Sequence, residues 1–162
     1  MKRRFTHFIA LLFGCIALVQ LASCSNIDCP LTNKVYAKWS FYKADQQDNL
    51  TDTLYVYLRV NGTDSLVVNK LYNAKEVLLP MSYYNAADTL SFEMKSTGFR
   101  SYKDMVIVQK DNAPHFNSPE CGTWVAHYIQ HVTHTHNNVD SITVTNQNVD
   151  INEVENFRIY FK

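Results

Sequence analysis

Leu54-Tyr55-Val56-Tyr57-Leu58-Arg59-Val60-Asn61-Gly62-Thr63-Asp64-Ser65-Leu66-Val67 is the stretch that decides the fold. Leu54, Val56, Leu58 and Val60 alternate with Tyr55, Tyr57 and Arg59, the period of two expected of a strand with one buried face. Asn61-Gly62 then supplies two residues that accept positive φ, as a two-residue hairpin turn requires. Such a turn sets the register: Val60 faces Thr63, Arg59 faces Asp64, Tyr57 faces Leu66 and Val56 faces Val67. One ion pair and two apolar pairs fall where cross-strand side chains meet.

The same alternation extends outward from this hairpin. Val35, Ala37, Trp39 and Phe41 share one parity, with Tyr36, Lys38, Ser40 and Tyr42 on the other. Further strands are predicted over 77–79, 90–94, 105–109, 124–131, 142–145 and 157–161. Pro80, Pro114 and Pro119 fall between them, where a missing amide donor breaks no ladder. Fifteen Asn against four Gly place most turn chemistry on Asn. No window of eleven or more residues carries helical periodicity. The expectation is all-β: one antiparallel β-sandwich over residues 34–162, immunoglobulin-like in outline, with about seven to nine strands.

The 162 residues carry 15 basic and 15 acidic groups and are 19% charged and 46% hydrophobic, which excludes a disordered tail. Lys2, Arg3 and Arg4 form a basic start, and the twelve residues from Phe8 to Val19 are uninterruptedly apolar. A membrane-spanning helix needs about 20 such residues, so this reads as the core of a signal peptide over residues 1–23. Removing it leaves 12 basic and 15 acidic groups, a mildly acidic chain without the footprint of a nucleic-acid binder. Leu21-Ala22-Ser23-Cys24 resembles the bacterial lipobox, which implies acylation of Cys24 and attachment to a membrane through several lipid chains. Ser25 after the cysteine, rather than Asp, implies sorting to the outer membrane. Asp28 alone, without an acidic run, favours the periplasmic face over the cell surface.

Cys15 leaves with the signal and Cys24 carries lipid. Cys29 and Cys121 remain as an even pair in an oxidising compartment, where a disulfide competes with two buried thiols. With Cys29 pinned, the tether over residues 24–33 would have only about five residues between lipid and pin, at most roughly 18 Å.

Asp52-Thr53-Leu54, Asp64-Ser65-Leu66, Asp88-Thr89-Leu90 and Asp140-Ser141-Ile142 repeat one short pattern. An Asp-led turn entering a strand accounts for it. The triplet also resembles the O-glycosylation acceptor of Bacteroides-type bacteria, which implies glycan at Thr53, Ser65, Thr89 or Ser141. Together with the lipobox, Cys29-Pro30, Leu79-Pro80, Glu120-Cys121-Gly122 and the closing Phe157-Arg158-Ile159-Tyr160-Phe161, the chain resembles a family of small, uncharacterised Bacteroides-type lipoproteins with a mid-domain Cys-Gly motif. That resemblance implies a β fold and an envelope address, and assigns no activity.

His127, His131, His134 and His136 crowd one region. His134 and His136, two apart on a strand, would point to one face about 6.7 Å apart at Cα, a spacing that can chelate zinc or copper. His127 and His131 would share a face but sit about 13 Å apart, too far for one ion. The alternative is a polar hairpin loop from His131 to Asn138. Asn146, Asn148, Asp150 and Asn152 alternate like a calcium loop, but Ile151 and Phe157 stand where such a loop needs Gly and Glu. Ten Tyr and two Trp offer stacking surfaces for sugars or a buried core. No Gly-x-Ser-x-Gly elbow, His-Glu-x-x-His or phosphate loop is present. The expectation is therefore a lipid-anchored, non-catalytic binding or structural module whose partner is a glycan or an envelope protein, with a metal-binding protein using the His127–His136 cluster as the alternative.

Overall fold

The computed structural model describes residues 34–96, 98 and 100–162; Cys24, Cys29, the signal segment and the tether over 24–33 lie outside them. Every regular element described is a strand. In chain order these are β1 (Tyr36–Lys43), β2 (Gln46–Gln47), β3 (Thr53–Val60), β4 (Thr63–Leu71), β5 (Glu76–Pro80) and β6 (Ala87–Lys95). They continue with β7 (Ser101–Ser118), β8 (Gly122–His134), β9 (Val139–Val144), β10 (Asn148–Val149) and β11 (Glu155–Phe161). Two sheets pack face to face as a β-sandwich. The eleven strands exceed the seven to nine expected because β2 and β10 are two-residue additions that leave no periodic trace in a sequence.

One sheet runs β10-β8-β7-β6-β3-β4, entirely antiparallel, with β6, β7 and β8 as a meander. The other runs β2-β1-β11-β9, with β5 also on β1. Here the first and last strands meet, for β1 pairs with β11 in parallel. That pairing sets Trp39 beside Phe157, their rings stacked at 3.9 Å, and Phe92 reaches across from the facing sheet to 5.4 Å from Trp39. Val35, Ala37, Trp39 and Phe41 are all buried, as their shared parity requires, and Leu54, Val56 and Leu58 meet them from β3.

The β3–β4 hairpin turns on Asn61 and Gly62 at φ values of 50° and 79°, the doubly positive turn that matches strand twist. Val60 faces Thr63, Arg59 faces Asp64 and Tyr57 faces Leu66. Val56, however, faces Val68 and not Val67, because a bulge between Val56 and Tyr57 shifts the pairing by one residue. Two prolines also differ from expectation. Pro80 closes β5 opposite Tyr36, and Pro114 lies inside β7 opposite Val125. β6 pairs with β7 only as far as Gln109, so beyond it β7 is an edge on that side and Pro114 deprives no neighbour of a donor. β7 and β8 thus continue past the sheet as a two-stranded arm that turns at residues 119–121.

Candidate functional site

Three polar constellations lie on the β6–β7–β8 meander. The first is buried. Lys110, inside β7, sends Nζ to the carbonyls of Ser82 (2.6 Å) and Asn85 (2.8 Å) and to Asn112 Oδ1 (2.7 Å). Asp88 Oδ2 lies 3.6 Å from that ammonium, with both side chains withdrawn from solvent. Asp88 also accepts from the Ser82 amide (3.1 Å) and the Ser82 hydroxyl. Burial pulls the Lys110 pKa below the ordinary lysine value, and the Asp88 charge partly restores it.

His127 joins this set from β8. Asn112 Nδ2 donates to the Asn85 carbonyl, so its Oδ1 is the acceptor and His127 Nδ1, 2.7 Å away, carries the proton. Nε2 is then a buried lone pair, with no hydrogen-bond partner among the described residues. Burial, reinforced by the Lys110 charge, pushes the imidazole pKa from 6.5 down to about 4, so the ring is neutral at pH 7. Lys110, Asp88 and His127 were not expected to share a site. Lys110 carries a charge in a run with strand parity, and Asp88 reads as a turn residue. Only the pairing of three neighbouring strands, β6, β7 and β8, brings them into one cluster.

The expected sharing of a face by His127 and His131 is corrected. Gln109 faces His131 and Lys110 faces Ile129, so Gln130 is an extra residue in β8. That bulge reverses parity: His127 and Ile129 are buried, whereas His131 is exposed. The four-histidine cluster is therefore two separate sets. The loop expected over His131–Asn138 is shorter, since β8 runs through His134.

His134 and His136 form the second constellation, at the far end of β8. Their rings meet edge to face at 4.3 Å. His134 Nδ1–H donates to the Thr135 carbonyl (2.9 Å) and His136 Nδ1–H to the Asp140 carbonyl (3.1 Å), which leaves each Nε2 as a lone pair. No set of three His, Cys, Asp or Glu side chains able to hold a metal occurs among the described residues.

The third constellation fixes the loop that follows His134 and carries His136. The buried Asp104 carboxylate accepts from Thr135 Oγ1 and the amides of Asn137 and Asn138 (2.7 Å each) and from the Val139 amide (2.9 Å). Burial raises its pKa, but these four donors outweigh burial and hold it below the usual carboxylate value. Nothing in the local sequence marks Asp104, because its partners lie more than thirty residues away.

The remaining candidates are dispersed. Thr53 begins β3, Ser65 is exposed on the edge strand β4, and Thr89 and Ser141 are half-buried in β6 and β9. Asp52 precedes its strand as a turn residue would, whereas Asp64, Asp88 and Asp140 lie within theirs. Cys121 is half-buried at the arm's turn, its amide donating to Ser118 Oγ at 3.2 Å. Of the aromatics, Trp39 is core, His115 stacks on Trp124 at 4.5 Å, and Tyr84 and Tyr72 are 92% and 63% exposed. Beside Leu50 and Phe161 lies a cleft of about 80 Å³, far below the roughly 300 Å³ at which small-molecule pockets begin.

No curated protein and no solved structure matches this chain. The model of a family of unknown function, DUF6452, matches residues 53–161, from the first residue of β3 to the last of β11 and across all three constellations. With most of its length matched, the chain belongs to the family of unknown function DUF6452.

Proposed function

We propose that this protein is a lipid-anchored, non-catalytic binding or structural module of the bacterial envelope, with a glycan or an envelope protein as its partner. The observation that carries the reading is Leu21-Ala22-Ser23-Cys24 directly after an apolar run too short to span a bilayer. Ser25 and the lone Asp28 favour the outer membrane and its periplasmic face, in a Bacteroides-type cell. Cys29 is the proposed partner of Cys121. Its support is that Cys121 is disulfide-bonded while the other cysteines all lie outside the described residues. A non-catalytic role is supported by the buried ionisable groups, since Lys110, Asp88 and Asp104 are engaged by groups that hold strands and a loop in place. Exposed Tyr84 and Tyr72 supply rings on which a sugar could stack, and Ser65 is the most accessible of the four proposed glycan acceptors. Triton X-114 partitioning tests the anchor. The native chain should enter the detergent phase and Cys24→Ala the aqueous phase; a variant that stays with detergent contradicts the anchor.

The second reading, a metal-binding envelope protein, is favoured by one observation. Both His134 and His136 donate Nδ1–H to a carbonyl, the outer contact that orients metal-ligating histidines. In this reading zinc or copper binds the two Nε2 atoms, and His127 takes no part. Calorimetric titration of untagged protein with each ion tests it: binding lost in His134→Ala would support it, and no binding would end it.

A further inference from the structure

We infer that the free end of the β7–β8 arm is the surface on which the domain rests against lipid, an inference that depends on the anchor and the Cys29–Cys121 bridge proposed above. Three observations converge on this end. The first is covalent reach. Cys24 and Cys29 are five residues apart, at most roughly 18 Å, and a disulfide adds about 6 Å between Cα atoms. A Cys29–Cys121 bridge therefore holds the arm's turn within about 24 Å of the acylated residue, whatever path the tether takes.

The second observation is composition. Residues 113–125 contain a single Asp, Glu, Lys or Arg, namely Glu120. The opposite end of the same sheet carries the exposed Lys95, Arg100 and Lys103. An interface that must shed water against headgroups and acyl carbons tolerates the first end and resists the second.

The third is exposure. Phe116 is 67% exposed, two residues from the end of β7 and opposite Thr123. Pro114 and Pro119 are exposed beside it, and Trp124 lies on the neighbouring strand, stacked on His115. β6 does not extend along this part of β7. An exposed apolar ring such as Phe116 gains by leaving water for the boundary between headgroups and acyl chains. The mildly acidic domain gives no reason for anionic lipid, so the matching surface is zwitterionic and the contact apolar.

The experiment uses the full acylated chain on phosphatidylcholine vesicles brominated on acyl carbons near the headgroup. Phe116→Trp reports the arm's end, and His136→Trp reports the other end of β8, roughly 35 Å away along the strand. Wild-type emission from Trp39 and Trp124 is subtracted. The expected result is co-flotation of all three proteins, with Phe116→Trp quenched about two-fold relative to unbrominated vesicles and His136→Trp unchanged. Co-flotation with equal or no quenching at the two positions overturns the docking face and leaves the anchor standing. Failure to float overturns the anchor and this inference with it.

Discussion

Two ion pairs on one sheet behave as opposites. Arg59 and Asp64 approach to 2.9 Å across the β3–β4 hairpin, with side chains 47% and 29% exposed. Lys110 and Asp88 stand farther apart, at 3.6 Å, with exposures of 0% and 3%. By distance the first is the stronger pair. By environment it is the weaker, because water screens it and two long side chains must be ordered to hold it. In the second pair each charge has given up its hydration, so removing one partner leaves the other stranded. The environment decides which pair the fold depends on.

Breaking the buried pair should have the largest effect. Lys110→Ala strands Asp88 and should cost about 3–5 kcal/mol in urea unfolding. A cost as small as that of Arg59→Ala would erase the contrast.

Acid attacks the same region through His127. Its pKa is lower in the folded protein than in the unfolded chain, so the unfolded state binds the extra proton first. Stability should be complete above pH 6.5, fall as pH drops toward about 4, and level off below it. The loss should reach at most about 3 kcal/mol, measured by calorimetry across that range, and should vanish in His127→Phe. Asp104, whose folded pKa is also depressed, adds its loss in a lower window, below its ordinary value of 3.8. Asp104→Asn replaces one acceptor oxygen by a donor and should cost about 2 kcal/mol. Amide exchange at residues 137–139 should quicken with it.

The smallest effect belongs to the exposed pair. Arg59→Ala should leave the unfolding midpoint within error, and added salt should change it no more than the wild type.

The exposed pair is also the one the sequence announces. Asn61-Gly62 fixes its turn locally, and the register follows for as far as no residue is inserted. The alternation of Val35 to Phe41 likewise translates directly into a buried face. Legibility stops at the bulges. One extra residue near Val56 moves its partner from Val67 to Val68, and Gln130 reverses every side chain beyond it in β8. A bulge belongs to two strands together, so neither strand's own pattern displays it. The place of Pro114 inside β7 is illegible for the same reason, since its acceptability depends on where β6 ends. The rings of His134 and His136 do meet, but not as two residues of one strand, since β8 ends at His134 and His136 lies in the loop beyond it. The cluster around Lys110 is not legible either, because a lysine in a strand reads as exposed until its acceptors arrive from a distant loop.

His127 is neutral in a buried cluster with Lys110 and Asn112, separate from the His134–His136 pair. Two-dimensional NMR of the imidazole nitrogens tests this most directly. His127 should carry its proton on Nδ1 and titrate with a midpoint near 4. A His127 ring protonated on Nε2, or titrating near 6.5 like a solvated histidine, would contradict it.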